Sequence, residues 1–290
     1  MKQNYCLFTK TALAPSLQGC YFTACFVLIL SLGIGCNFTT VGNVGNTIIK
    51  ELGDVNIFTD AEELRFGREY VAQHEQKVRI HRDPVVTNYV NDLGQSLVRH
   101  SKRPNITYTF KVVETKGINA YAIPGGFIYV HLDLIRAAKN ESELAAVLGH
   151  EIGHIVGQHS MKRLTQVYSI EIIKQLILDE DASKFKKLVA DVLAAGLLFR
   201  YSRDHERESD FYGVQNVYDA SIAPEGAAGF FETLSATRRT APSAVGKFLS
   251  THPMPNERVL NVRNQISKLP PKSGLRTDSS RFQRIKQRIR

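Results

Sequence analysis

The chain has 290 residues, 43% hydrophobic and 22% charged, a composition that excludes a disordered chain, a collagen-like repeat and a polytopic membrane protein. Its formal charge of +9 sits at the ends: residues 1–36 carry Lys2 and Lys10 and no acid, and residues 272–290 carry seven basic residues against Asp278. The stretch between is close to neutral, so no nucleic-acid partner is expected, and the basic tail, 270–290, reads as a docked or mobile appendage facing solvent or a membrane.

All four cysteines, Cys6, Cys20, Cys25 and Cys36, lie in the first 36 residues. The body therefore has no disulfide framework and no thiolate metal site. Residues 11–49 carry no charge, and residues 21–34 form an apolar run that ends in Gly35-Cys36. A basic start, an apolar run and small residues at its end describe an export signal over residues 1–36. Cys36 fits the lipidated first residue of a lipoprotein, although the usual Leu three places before it is Gly33. A cleaved soluble signal and an uncleaved anchor are the alternatives, and each takes the body out of the cytoplasm.

Residues 37–58, rich in Gly, Asn and Thr, read as a tether. A domain over 59–269 follows. Asp60 with Glu63 suggests a variant capping box for a first helix, and Asp83-Pro84 caps a second that carries Val86, Tyr89, Val90, Leu93 and Leu97. The period then changes to two: Ile106, Tyr108, Phe110 and Val112 alternate with polar residues, which is the pattern of a half-buried strand. Gly125-Gly126 precedes a second strand at 127–131. Beyond Asn140 the pattern is helical, and the fold class is α+β, predominantly helical, with a small sheet.

One helix carries His150-Glu151-Ile152-Gly153-His154. Residues four apart on a helix lie within about 40° of one another in azimuth, so two imidazoles can converge on one Zn²⁺ with the intervening Glu beside the water it binds. The flanks, residues 144–148 and 155–156, are too apolar for a solvated face. His159 falls one residue early for the HExxHxxGxxH ligand set, whose position 160 is Ser here, and is expected at an exposed helix end.

The third ligand must then come from a later helix. Residues 203–210 (RDHERESD) contain four acids. Leu198, Phe199, Ser202, Glu206, Asp210, Val214 and Val217 share one stripe, which turns Glu206 and Asp210 inward and leaves Glu208 on another face. A buried carboxylate is costly unless it has a cation, so Glu206 is the expected ligand and Asp210 the residue that orients a ligand histidine. A surface salt-bridge ladder would explain the octapeptide alone; the histidine helix upstream decides between them.

Four motifs in this order, residues 119–126 (NAYAIPGG), residues 143–154 (ELAAVLGHEIGH), Glu206 with Asp210, and His252-Pro253 with Arg258, resemble the HtpX-like zinc endopeptidases. That clan also holds the CAAX prenyl proteases, and the soluble exported branch of the BepA and LoiP type is the nearest likeness. The likeness spans roughly residues 60–269. The membrane helices of the HtpX and CAAX branches and the helical-repeat domain of BepA find no match in it, and Ser209 stands where Ala is usual. The resemblance implies a gluzincin fold with one zinc per chain on His150, His154 and Glu206, and Glu151 as catalytic base.

On that reading Glu151 takes a proton from water and delivers it to the leaving amine. His252 is either a donor to the oxyanion or, as the resemblance allows, a latch on the open zinc position, with Arg258 supporting its loop or the oxyanion. The second strand, through Gly126, Phe127, Ile128, Tyr129 and Val130, is expected to be an exposed edge that substrate extends. Such backbone-led binding suits unfolded or misassembled proteins of a bacterial cell envelope, with the domain held at the membrane by lipid or an N-terminal anchor. A chaperone or assembly factor with little turnover is the alternative, and an intact Glu151 weighs against it.

Overall fold

A computed structural model describes residues 54–168, 182–253 and 256–290. The export segment with Cys36 and most of the tether lie outside the described residues. Residues from Leu52 to Arg290 form one unit.

Helix α1 (Asp60–His74) starts from Thr59, whose hydroxyl accepts the Glu62 N–H while the Glu62 carboxylate accepts the Thr59 N–H. This capping box lies one residue ahead of the expected Asp60 and Glu63. Glu63 is instead buried, accepting the Gly125 N–H at 3.0 Å and pairing with Arg103 at 3.1 Å. Arg103 also donates to the Ile155 carbonyl, so one carboxylate ties α1 to the strand turn and to the end of the histidine helix. Helix α2 (Pro84–Val98) has the expected Asp83 cap and initial Pro.

Strands β1 (Thr109–Val113), β2 (Ala120–Ile123) and β3 (Phe127–His131) form a sheet in the order β1-β3-β2, with β1 parallel and β2 antiparallel to β3. This corrects the expected edge strand. β3 is central, with Ile128, Tyr129 and Val130 fully buried. Its unbroken apolar run is what a strand covered on both faces requires, whereas a half-exposed edge would alternate. The turn joining β2 to β3 needs Gly125 and Gly126 at φ 82° and 97°. Beyond β1, residues 79–81 pair with Val112–Glu114. No strand among the described residues pairs with the outer side of β2, which is therefore the edge nearest the histidine helix.

Helix α3 (Leu132–Ala137) leads into α4 (Glu141–Val156), which is capped by Asn140 and buried at every position from Glu141 to Ile155. Then come α5 (His159–Val167), α6 (Ala182–Ala195), a short 3₁₀ turn (Leu197–Phe199) and α7 (Arg203–Asp219). Helices α4 and α7 approach unusually closely because the contact is made by small residues. A Cβ on Gly153 would lie 2.8 Å from the Ser209 backbone, and one on Gly213 would lie 2.9 Å from the His150 nitrogen. Ser209 lies at this crossing, fully buried, and its backbone is what Gly153 approaches.

Helices α8 (Gly226–Thr240), α9 (Pro242–Thr251), α10 (Asn256–Ser267) and α11 (Ser280–Arg288) complete the unit. The larger core lies between one sheet face and α2, α4, α8, α9 and α11; a smaller one lies between the other face and α1, α5 and α6. The basic tail is docked: Phe282, Ile285 and Ile289 enter the larger core, while Arg281 and Arg288 pair with Asp92 and Asp83 on and beside α2. Among the described residues no helix is long and apolar enough to cross a membrane.

Candidate metal centre and active site

The Asn140 cap and the apolar flanks of α4 bury the middle of that helix, which turns His150 and His154 toward α7. The Ser202 hydroxyl caps α7 by accepting the His205 N–H, and the next turn presents Glu206. His252 arrives at the C-terminal end of α9. The four side chains meet: His150 Nε2 is 3.0 Å from His154 Nε2 and 3.3 Å from His252 Nδ1. Glu206 Oε1 is 3.1 Å from His252 Nδ1 and 3.4 Å from His154 Nε2. All four residues are at most 7% exposed.

The donor set fits a metal ion. His150 Nδ1 is 2.9 Å from Asp210 Oδ1; a carboxylate only accepts, so the proton sits on Nδ1 and Nε2 presents a lone pair. That lone pair faces a second imidazole nitrogen and a carboxylate. Four electron-rich atoms this close repel one another unless a cation or shared protons lie between them. Tetrahedral zinc with bonds of about 2.0–2.1 Å spaces its ligand atoms about 3.3 Å apart, within the range seen here.

Further residues hold these four side chains in place. Arg258 is buried, donates to both Asp210 oxygens at 2.7 and 2.8 Å, donates to Glu206 Oε2, and reaches the Pro253 carbonyl at 2.8 Å. It thus holds the His252 loop and the carboxylates behind the site. Tyr201 lies flat on His154, with ring centroids 3.7 Å apart, and its hydroxyl meets the Ser160 hydroxyl.

Glu151 is fully buried and neither carboxylate oxygen makes a well-formed hydrogen bond, although the Ala122 backbone N–H on β2 pulls on it. Its closest charged neighbour is His252 Nε2 at 3.5 Å. Burial pushes the Glu151 carboxyl up, against the pull of His252 and His150. For Glu206 burial acts in the same sense, but the neighbouring His252, His154 and His150 rings outweigh it, and the carboxyl stays well below the usual range. Burial alone would lower His252; Glu206 and Glu151 together raise it. A carboxyl raised by burial beside a cluster of lone pairs is suited to take and return a proton.

The expected His150, Glu151, His154, Glu206, Asp210, His252 and Arg258 therefore lie together. Residues 126–130 do not join them as an edge. His159, expected to be exposed, is fully buried against His154. Gln158 adopts a left-handed φ of 53°, which breaks the helix and starts α5 in a new direction. Tyr201 has no motif to mark it; it follows the left-handed Gly196, at φ 60°, and the short 3₁₀ turn.

A mostly helical domain with a small sheet, an HExxH helix and a Glu delivered by a following helix is that of a zincin-type metallopeptidase. The family model described as Peptidase family M48 matches residues 84–266, and the chain belongs to that family. It is 28% identical over 219 residues to a beta-barrel assembly-enhancing protease of Yersinia pestis, covering 72% of this chain and 45% of that protein. The metalloprotease YcaL of Escherichia coli K12 is 29% identical over 161 residues, 54% of this chain and 62% of YcaL. A mitochondrial metalloendopeptidase OMA1 of Schizosaccharomyces pombe is 28% identical over 185 residues, 62% and 53% of the two chains. The chain spans about half the length of the assembly-enhancing proteases it matches.

Proposed function

We propose that this chain is a zinc-dependent endopeptidase that cleaves unfolded or misassembled proteins of a bacterial cell envelope, with His150, His154 and Glu206 holding one zinc. Bound there, zinc would polarise the scissile carbonyl and acidify water. Glu151 takes the proton of the attacking water and returns it to the leaving amine. Asp210 keeps the His150 proton on Nδ1, and Arg258 keeps Asp210 and Glu206 in place. The observation that carries this reading is the fully buried Glu151 carboxylate, held by no well-formed hydrogen bond beside the four-donor cluster.

His252 has two roles in this reading. Its Nδ1 lies among the donors and its Nε2 faces Glu151, so in the resting protein it is a latch over the position that water would use. Swung away, it is a donor to the oxyanion. Substrate backbone extends β2, not β3, because β2 is the sheet edge beside α4. Access requires the His252 loop and Tyr201 to move. Burial of Glu151 and His252 in the closed site also favours a second reading, an assembly factor that seldom turns over.

The export segment and Cys36 support anchoring by lipid outside the cytoplasm. Mass spectrometry of membrane-extracted protein should find a lipidated Cys36 peptide, and an intact peptide across residues 30–40 would rule it out. For the activity, zinc-loaded protein should degrade casein, and Glu151→Gln should abolish this at unchanged zinc content. Equal turnover by the variant would remove Glu151 from the chemistry, and no turnover by either, with His252→Ala included, would favour the assembly factor.

A further inference from the structure

His154 differs from His150 in what lies behind it. The Nδ1 of His150 meets a carboxylate directly, whereas the Nδ1 of His154 meets another histidine: His159 Nδ1, at 2.9 Å. The other nitrogen of His159, Nε2, lies 3.2 Å from Glu208 Oε2. The Ser209 hydroxyl is 3.3 Å from His159 Nδ1. The ring is held in its plane by His205, stacked at 4.3 Å and 13°, which is itself held by Asp54 at 2.7 Å. Gly157 makes room for it, since a Cβ there would lie 2.3 Å from His159 Nε2.

Proton accounting assigns each atom. His154 Nε2 faces His150 and Glu206 in the donor cluster, so as a ligand it must present a lone pair there and carry its proton on Nδ1. That N–H has His159 Nδ1 as acceptor, which places the His159 proton on Nε2. The Nε2–H then donates to Glu208. Each step leaves one donor facing one acceptor, from a half-exposed carboxylate through two imidazoles to the ligand nitrogen.

We propose that His159 and Glu208 form a relay that orients His154, fixes its tautomer and strengthens it as a metal ligand, so that the two ligand histidines of one helix are held by different devices. This rests on the reading of His154 as a ligand. Neither relay residue touches the metal position. Ligand histidines generally donate their second N–H to a carboxylate, carbonyl or water, and loss of that partner costs about 10–100-fold in metal affinity. Here the carboxylate acts at one remove, and the intervening histidine turns a surface glutamate into a partner for a buried ring.

The test is zinc affinity of the purified protein by competition with a chromophoric chelator. His159→Leu fills the space without an acceptor; His159→Asn is smaller but returns an amide oxygen near the Nδ1 position. A relay requires Leu to weaken zinc by about 10–100-fold, Asn to recover most of that loss, and both to reach one zinc at saturation. A ring that only fills space requires the reverse order, with Leu tolerated better than Asn, and that order overturns the proposal. If His159→Leu does not fold, Glu208→Leu and Glu208→Gln replace it: Leu should weaken zinc severalfold and Gln, which keeps an acceptor, less. Wild-type affinity in Glu208→Leu overturns the relay equally. His154→Ala separates the two levels: if it binds zinc like wild type, the ligand reading fails; if it loses zinc while the relay variants do not, only the relay fails.

Discussion

Gly213 is where the fold and the site are most directly coupled. A Cβ there would stand 2.9 Å from the His150 nitrogen and 3.1 Å from the Gly149 carbonyl carbon, against ordinary contact from 3.4 Å. Both are backbone atoms on α4, so no side chain can swing aside; α4 and α7 must part by about half an ångström or strain in place. Overpacking of this kind costs about 1–3 kcal/mol. Alanine returns about 1 kcal/mol of helix propensity, leaving a net loss of about 1 kcal/mol, or about 2–4 °C in Tm for a domain of this size.

The metal should suffer more than the fold. His150 and Glu206 come from the two helices that part, and a metal site tolerates ligand displacements of only about 0.2 Å. Gly213→Ala should therefore weaken zinc on the order of tenfold, or about 1.4 kcal/mol. Gly246→Ala on α9 is the control, because nothing lies within 4 Å of its Cβ. It should gain about 0.5–1 kcal/mol and leave zinc affinity unchanged. Thermal unfolding with and without chelator, together with zinc competition, reads both. A Gly213→Ala protein with wild-type zinc affinity and an unchanged or higher Tm would refute the close-approach reasoning.

His150→Ala, His154→Ala and Glu206→Ala should each lose stoichiometric zinc, whereas Glu208→Ala should keep it at saturation; metal analysis showing the opposite for Glu206 and Glu208 would reassign the ligand. His252→Ala should speed cleavage of an unfolded substrate at equal zinc occupancy, as removal of a latch requires. A variant slower by about tenfold or more would leave it as an oxyanion donor alone. Burial lowers the pKa of His74 and of His131, opposed by Glu75 and by the Gly117 carbonyl respectively. The unfolded chain then takes up protons that the folded chain resists, so their contribution is complete above about pH 6.5 and is lost as pH falls toward the folded-state values. Tm should drop between about pH 7.5 and 5.5, and less steeply in His131→Asn, which can still donate to the Gly117 carbonyl; equal slopes would remove His131 as a cause.

Much of the site was legible in the sequence because local periodicity carries it. Asn140 and the apolar flanks mark α4, four-residue spacing aligns His150 with His154, and one helical stripe selects Glu206 and Asp210 over Glu208. The start of α1 reads one residue late in the sequence: Asp60 with Glu63 suggests the box that Thr59 and Glu62 form, although Thr59 with Glu62 is the more regular pattern. Strand order was not: the β1–β3 pairing is parallel and long-range, and no local pattern encodes which strand lies between the others. The burial of His159 was hidden for a similar reason. A periodic reading carries α4 through to residue 159, whereas the left-handed Gln158 redirects the chain and brings the ring back against His154. The tail shows Phe282, Ile285 and Ile289 at helical spacing, and its charge obscures that pattern although Arg281 and Arg288 pair with acids on and beside α2.

The central claim is that His150, His154 and Glu206 hold one zinc, with the nitrogen of His252 beside them. X-ray absorption on protein loaded with one equivalent of zinc, compared with His252→Ala, tests it most directly. The account requires a four-coordinate shell of nitrogen and oxygen at about 2.0–2.1 Å, losing one imidazole in the variant. A shell that is unchanged by His252→Ala and by Glu206→Ala would contradict it.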